Sequence, residues 1–249
     1  MSSKGKDEVA AYYDAYIVRQ IKTAYNERQL NLIEELKSLG LKSDSNVLEI
    51  GCGVGVITSL LAEIITKGKV VSLDISAASI RVARELNRDS RNVEFLTGDV
   101  MALTRLELRK FDFILLFDVL EHIPLVEHIG NIEVVRSIAQ SGTMVVVNIP
   151  SPQYNGYLRE YEKESLQVID EVVETNLLVE EFYKFDFVLH SFRTYAMWVQ
   201  DQYQLMVFKI RTPFANKKVS AVRPRISPIQ ALRRRLNLRR IVRMTGPRI

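Results

Sequence analysis

Between residues 47 and 149 the chain alternates short apolar runs with longer amphipathic ones, and few folds accommodate that rhythm. Val47–Ile50, Val70–Asp74, Val93–Leu96, Phe111–Phe117 and Thr143–Ile149 are short and mostly rich in β-branched or aromatic residues. The segments between them, near 55–66, 77–88 and 127–139, space their apolar residues as a helix does. A strand that is apolar throughout must be buried on both faces, so helices have to cover both sides of a parallel sheet. Right-handed crossovers then favour a doubly wound α/β arrangement. After Pro150 the rhythm changes. Residues 150–182 hold Pro150, Pro152, Gly156 and several tyrosines, then a helical stretch, and Phe185–Ser191 and Tyr203–Ile210 read as two further strands close enough to pair. That makes seven strands in all.

The flanks differ from this body. Residues 8–38 read as helical, with Val9, Tyr12, Tyr13, Tyr16, Ile17 and Ile21 on one face and Gly40 as the stop. The expected organisation is a helical cap over 1–40, a main domain over 41–214 with an insertion at about 150–182, and a basic tail over 215–249. Eleven of the 34 Lys and Arg residues lie beyond residue 216, with none of the 30 Asp and Glu, so the body is acidic and the tail strongly basic. Ile229, Leu232 and Leu236 form a narrow apolar stripe among the tail arginines, a pattern suited to an anionic membrane surface, to phosphates or simply to a solvated, disordered tail. No aromatic interleaves those arginines, so base stacking is not supported and nucleic acid is disfavoured as a partner. No secretory signal or membrane-spanning run is legible, and the single cysteine, Cys52, allows no internal disulfide. A cytoplasmic protein is expected, with the tail offering peripheral membrane contact; nothing in the chain indicates an oligomeric state.

The stretch richest in chemistry is Val47-Leu-Glu-Ile-Gly51-Cys-Gly53-Val-Gly55. A buried strand runs straight into three alternate glycines and then a helix, a turn that lets a ligand approach bare backbone at a helix N-terminus. A dinucleotide fingerprint would be G-x-G-x-x-G. Here the third glycine comes one residue early, which disfavours an NAD(P)-dependent oxidoreductase. Asp74 ends the second strand and Asp99, in Gly98-Asp99-Val100, follows the third. This spacing resembles that of the class I S-adenosylmethionine-dependent methyltransferases, over roughly residues 8–212. The resemblance implies a Rossmann-like doubly wound, mostly parallel sheet with an antiparallel last strand. It implies S-adenosyl-L-methionine as cofactor, held by Glu49, Gly51, Cys52, Gly53, Gly55, Asp74, Ile75, Asp99, Val100 and Phe117. Asp74 would take the ribose hydroxyls and Asp99 the adenine amino group.

The fourth strand leads into Asp118-Val-Leu-Glu-His122-Ile-Pro124, which looks like the corresponding run in small-molecule methyltransferases. A hydroxyl acceptor must lose a proton during methyl transfer, and His122, at the ligand-binding edge of the sheet, is the candidate general base. Asp118, Glu121 and His122 are also similar to a divalent-metal arrangement in some O-methyltransferases, with His128 or His190 as helper. Those families favour Glu at the first position, and no metal is assigned. Tyr13, Tyr16, Tyr154, Tyr157 and Trp198 are the candidate acceptor-pocket residues, since such side chains pair an apolar face with a polar tip. Cys52 reads as a small loop residue. Asn148-Ile-Pro-Ser-Pro-Gln-Tyr154 and Trp198–Tyr203 resemble bacterial members linked to surface-sugar biosynthesis. The expected function is O-methylation of a small-molecule or glycan hydroxyl. The alternatives are an RNA methyltransferase gripping phosphates with its tail and a non-catalytic S-adenosylmethionine-binding protein.

Overall fold

A computed structural model describes Ile17 and residues 25–105 and 110–213. The tail and the predicted pocket residues Tyr13 and Tyr16 lie outside the described residues. In chain order the elements are α1 (Glu27–Ser38), β1 (Asn46–Ile50), α2 (Val56–Ile64), β2 (Lys69–Asp74), α3 (Ala77–Leu86), β3 (Val93–Thr97) and β4 (Phe113–Phe117). Then follow α4 (Leu125–Ile138), β5 (Met144–Pro150), α5 (Pro152–Tyr161), α6 (Thr175–Tyr183), β6 (Phe187–Tyr195) and β7 (Tyr203–Ile210). Short 3₁₀ turns at Val100–Arg105 and Leu120–His122 follow β3 and β4.

The strands form one seven-stranded sheet in the order β3-β2-β1-β4-β5-β7-β6. β1 to β5 pair in parallel, and β7 runs antiparallel to both its neighbours, β5 and β6. The order reverses between β1 and β4, the switch point where a doubly wound sheet opens a crevice at the carboxyl ends of its strands. Side chains alternate across the sheet, and the two faces bury different sets. Leu48, Ile50, Ile114, Leu116, Val145 and Val147 join Ile132 and Val135 of α4 and Phe182 of α6 on one side. Val47, Phe113, Leu115 and Val146 meet Leu32 and Leu36 of α1 and Ile57 and Leu61 of α2 on the other. The same alternation puts Glu49 on the α2 side.

Two boundaries differ from the sequence expectation. The helix read over 8–38 is interrupted, because Asn26 is extended and caps a new helix, α1. Its side chain accepts from the Arg28 and Gln29 amides while the Gln29 side chain accepts from the Asn26 amide, a reciprocal box that satisfies amides a continuous helix would bond to carbonyls. β6 extends to Tyr195, four residues past the expected Ser191, with a register shift between Leu189 and Ser191. Pairing with β7 overrides the polar, exposed character of those residues.

Candidate active site

The glycine loop is built by backbone conformation and by what surrounds it. Gly51, Gly53 and Gly55 all have positive φ (77°, 54° and 80°), a region that costs any other residue strain. At Gly51 the need is also steric, since a Cβ there would lie 2.4 Å from Val119 Cγ2. The bare loop is tied to β2 through the Gly51 and Cys52 amides, which both donate to the Leu73 carbonyl (2.8 and 3.0 Å).

Three carboxylates follow the carboxyl edge of β1, β2 and β3. Glu49 is buried under α2 and accepts from Thr58 Oγ1 (2.5 Å) and Ser72 Oγ (3.0 Å). Burial pushes its carboxyl up to about 7 against those two hydrogen bonds, with the nearby Asp74 adding to the rise. Asp74 accepts from the Gly53 amide at Oδ2 (2.7 Å) and from the Ser76 amide at Oδ1 (2.9 Å). Asp99 follows Gly98, whose φ is 153°.

A cavity of about 420 Å³ gathers these groups. Of the expected cofactor residues, Glu49, Gly51, Cys52, Gly53, Asp74, Ile75, Asp99, Val100 and Phe117 line it, and so does His122. Gly55 does not; it starts α2 and packs against Ala83, where a Cβ would sit at 2.9 Å. Trp198, 62% exposed, lines the cavity from the β6–β7 connection. Tyr154 and Tyr157 are not among the lining residues. They sit on α5, where Tyr157 is half exposed, packs at a tilt against Tyr161 and donates to Glu162 (3.3 Å). An aromatic count in the sequence cannot show which rings reach the cavity.

His122 is held through its ring. Nδ1 lies 2.7 Å from the Ile169 carbonyl and 3.4 Å from Asp170 Oδ1. A carbonyl can only accept, so Nδ1 carries a proton in this contact. Nε2 lies 3.9 Å from Glu121 Oε1. Glu121 is fully buried, and burial, reinforced by Asp118, drives its carboxyl well above the usual range.

The groups the sequence reading missed are on α1, on β7 and in the segment before α6. Arg28 lines the cavity and pairs with Asp118 through both guanidinium nitrogens, the Nη1 bond being 2.6 Å. Its guanidinium lies over the Tyr203 ring, 4.8 Å from the centroid. Burial alone would disfavour this cation, but the Asp118 carboxylate more than offsets that and holds the pKa above its ordinary value. The pair occupies the first carboxylate of the string similar to a metal site. Among the described residues no cluster of His, Cys, Asp and Glu suited to a metal is present, and no helix is long and apolar enough to cross a membrane.

Comparison with known proteins agrees with this fold. Residues 41–205 match the family model described as a methyltransferase domain. A malonyl-acyl-carrier-protein O-methyltransferase of Priestia megaterium is 32% identical over 106 residues, 43% of this chain and 36% of that protein. A 2-phytyl-1,4-naphtoquinone methyltransferase of Thermosynechococcus vestitus is 36% identical over 66 residues, 26% of this chain and 29% of the relative. The chain thus spans between 24% and 45% of the length of such curated relatives. Among solved structures, magnesium protoporphyrin IX methyltransferase from Synechocystis with bound SAH superposes with a TM-score of 0.65 at 18% identity, covering 83% of this chain and 99% of that one. The chain belongs to the methyltransferase-domain family, with the fold of the class I S-adenosylmethionine-dependent methyltransferases.

Proposed function

We propose that this chain is an S-adenosylmethionine-dependent methyltransferase that acts on the hydroxyl of a small molecule. The observation that carries the reading is the convergence of the glycine loop, Asp74, Asp99 and His122 on one cavity. The fit can be judged from the loop: Val119 excludes a side chain at Gly51, so bare backbone faces the cavity where an amino-acid moiety would lie. Asp74 would receive the ribose hydroxyls, Asp99 the adenine amino group, and Arg28 would balance the amino-acid carboxylate with the N–H donors that Asp118 leaves over. Bound there, S-adenosylmethionine supplies a methyl group on a positively charged sulfur and leaves as S-adenosylhomocysteine.

The chain's own work is alignment, exclusion of water and removal of a proton. His122 takes the proton of the acceptor hydroxyl at Nε2, while Ile169 and Asp170 hold Nδ1 and balance the charge that forms on the ring. A carboxylate acceptor would need no base, so an oriented histidine favours a hydroxyl. A glycan hydroxyl is one member of that class, and Trp198 at the cavity edge is suited to a flat ring or a sugar face.

Calorimetric titration of the full chain with S-adenosylmethionine, S-adenosylhomocysteine and NADH tests the reading, with Asp74→Ala as control. Micromolar binding of the first two, lost in the variant, is expected. Binding of NADH alone would return the loop to a dinucleotide reading.

A further inference from the structure

α4 brings to the cavity a polar side chain that no described residue satisfies. Asn131 is 8% exposed and lines the cavity, together with Glu127 one turn earlier on the same side of the helix. The residues that α4 turns to solvent, Val126, Ile129, Gly130 and Glu133, lie on the opposite side. The side-chain amide of Asn131 makes no hydrogen bond with any described residue, yet neither its oxygen nor its nitrogen is sealed off. What is accessible of that amide therefore opens into the cavity. Polar groups so deeply placed are rarely left without a partner, and one that opens into a cavity is available to a ligand.

The packing of α4 fixes which part of the cavity Asn131 serves. The helix lies against the 3₁₀ turn at Val100–Arg105, where Ile132 and Val135 join Val100 and Leu103 in one apolar cluster. Asp99 precedes that turn and Val100 opens it, and both line the cavity as Asn131 does. In the reading above this is the end that takes the adenine, whereas the base is held by Ile169 and Asp170.

We infer that Asn131 is a specificity-determining residue for the purine of the cofactor. Its amide pairs with an edge of the adenine, donating to a ring nitrogen and accepting the amino hydrogen that Asp99 leaves over. This inference rests on the methyltransferase reading above and deepens it. On either side of its amino group adenine presents a donor beside a ring-nitrogen acceptor, the pattern that asparagine reads with two hydrogen bonds. An amide carries both functions, one acceptor and two donors. No protein partner fixes which end of the Asn131 amide is the oxygen, so the amide is free to turn to suit the purine. A site built to pair a ring nitrogen discriminates against an analogue that lacks it, because the protein donor is then left buried and unpaired.

The probes are S-adenosylhomocysteine and its 1-deaza and 7-deaza analogues, in each of which a C–H group replaces one ring nitrogen. Their affinities for the full-length chain are read by calorimetry. At least one analogue should bind about three- to tenfold more weakly than S-adenosylhomocysteine, the range of one neutral hydrogen bond. In Asn131→Leu, which fills the same space without an amide, that ratio should fall below half its value in the unmodified chain. Asn131→Ala removes the amide without adding bulk and should lower the ratio in the same way, should leucine crowd the helix. A ratio between two ligands is insensitive to the fraction of variant that folds, so a merely structural role for Asn131 would leave it unmoved. Equal affinity of the unmodified chain for all three ligands, or ratios still above half the parent value in the variants, would overturn the role of the residue. If the unmodified chain binds neither S-adenosylmethionine nor S-adenosylhomocysteine, the underlying methyltransferase reading fails instead.

Discussion

Replacing Gly51 by alanine separates the two reasons why this position is glycine. The first is conformational: φ is 77°, and a Cβ in the left-handed region costs about 1–2 kcal/mol. The second is steric. The added Cβ would stand 2.4 Å from Val119 Cγ2 but 3.6 Å from Val119 Cβ, so one methyl group carries the clash. Relieving it by moving side chain or backbone costs about 1–3 kcal/mol. Gly51→Ala should therefore destabilise the protein by roughly 2–5 kcal/mol, and the thermal midpoint should fall by roughly 5–15 °C for a chain of this size. Val119→Ala removes the offending methyl. In that background Gly51→Ala should cost only its conformational share, leaving a coupling energy of at least about 1 kcal/mol between the two sites. Urea and thermal unfolding of the unmodified chain, both single variants and the double variant give all four corners of the cycle. Additivity within about 0.5 kcal/mol would refute the steric half of the reasoning, and a stable Gly51→Ala would refute both halves.

Further expectations concern the carboxylates, the arginine, the base and the cysteine. Glu49 is held near 7 in the folded chain, above its ordinary 4.5, so the native state binds its proton more tightly than the unfolded one. Its contribution is full below pH 4.5 and is lost as pH rises through 7; unfolding at pH 5 and at pH 8 should show Glu49→Gln gaining about 3 kcal/mol on the parent between the two. Arg28→Leu and Asp118→Asn should each destabilise more than the double variant does, because each alone leaves a partly buried group without its partner, and denaturant unfolding of all three checks this. His122→Ala should lower kcat by about 10²–10⁴-fold in a product-formation assay while S-adenosylhomocysteine affinity, read by calorimetry, stays unchanged. Burial pushes the Cys52 thiol well above its usual range, so a thiol reagent such as DTNB should label it only on unfolding.

What could be read from the sequence was local, and what escaped it depended on contacts between distant segments. The alternation of apolar runs is a property of neighbouring residues, and it yields the parallel sheet because burial on both faces leaves no other arrangement for such strands. Glu49, Asp74 and Asp99 were equally legible, since each lies within two residues of the end of a strand and a parallel sheet brings those ends to one edge. Arg28 was hidden by treating residues 8–38 as one helix, in which it is only another polar position. The signal that would have exposed it was present: Asn26 followed by Gln29 is the capping-box pattern, and it puts Arg28 in the first turn of a new helix, facing the cavity. Asp170 gave no such signal. It lies in a stretch without periodicity, 48 residues from His122, and its contact with the ring arises only when the 3₁₀ turn after β4 meets the segment before α6. The same distinction applies to Tyr154 and Tyr157, where residue type suggested a pocket but neither side chain is among those that line the cavity. In this fold the glycine-loop edge of the cavity follows from strand order, which a sequence pattern encodes, whereas the surroundings of His122 include an irregular segment whose contacts arise only once it has folded against the turn after β4.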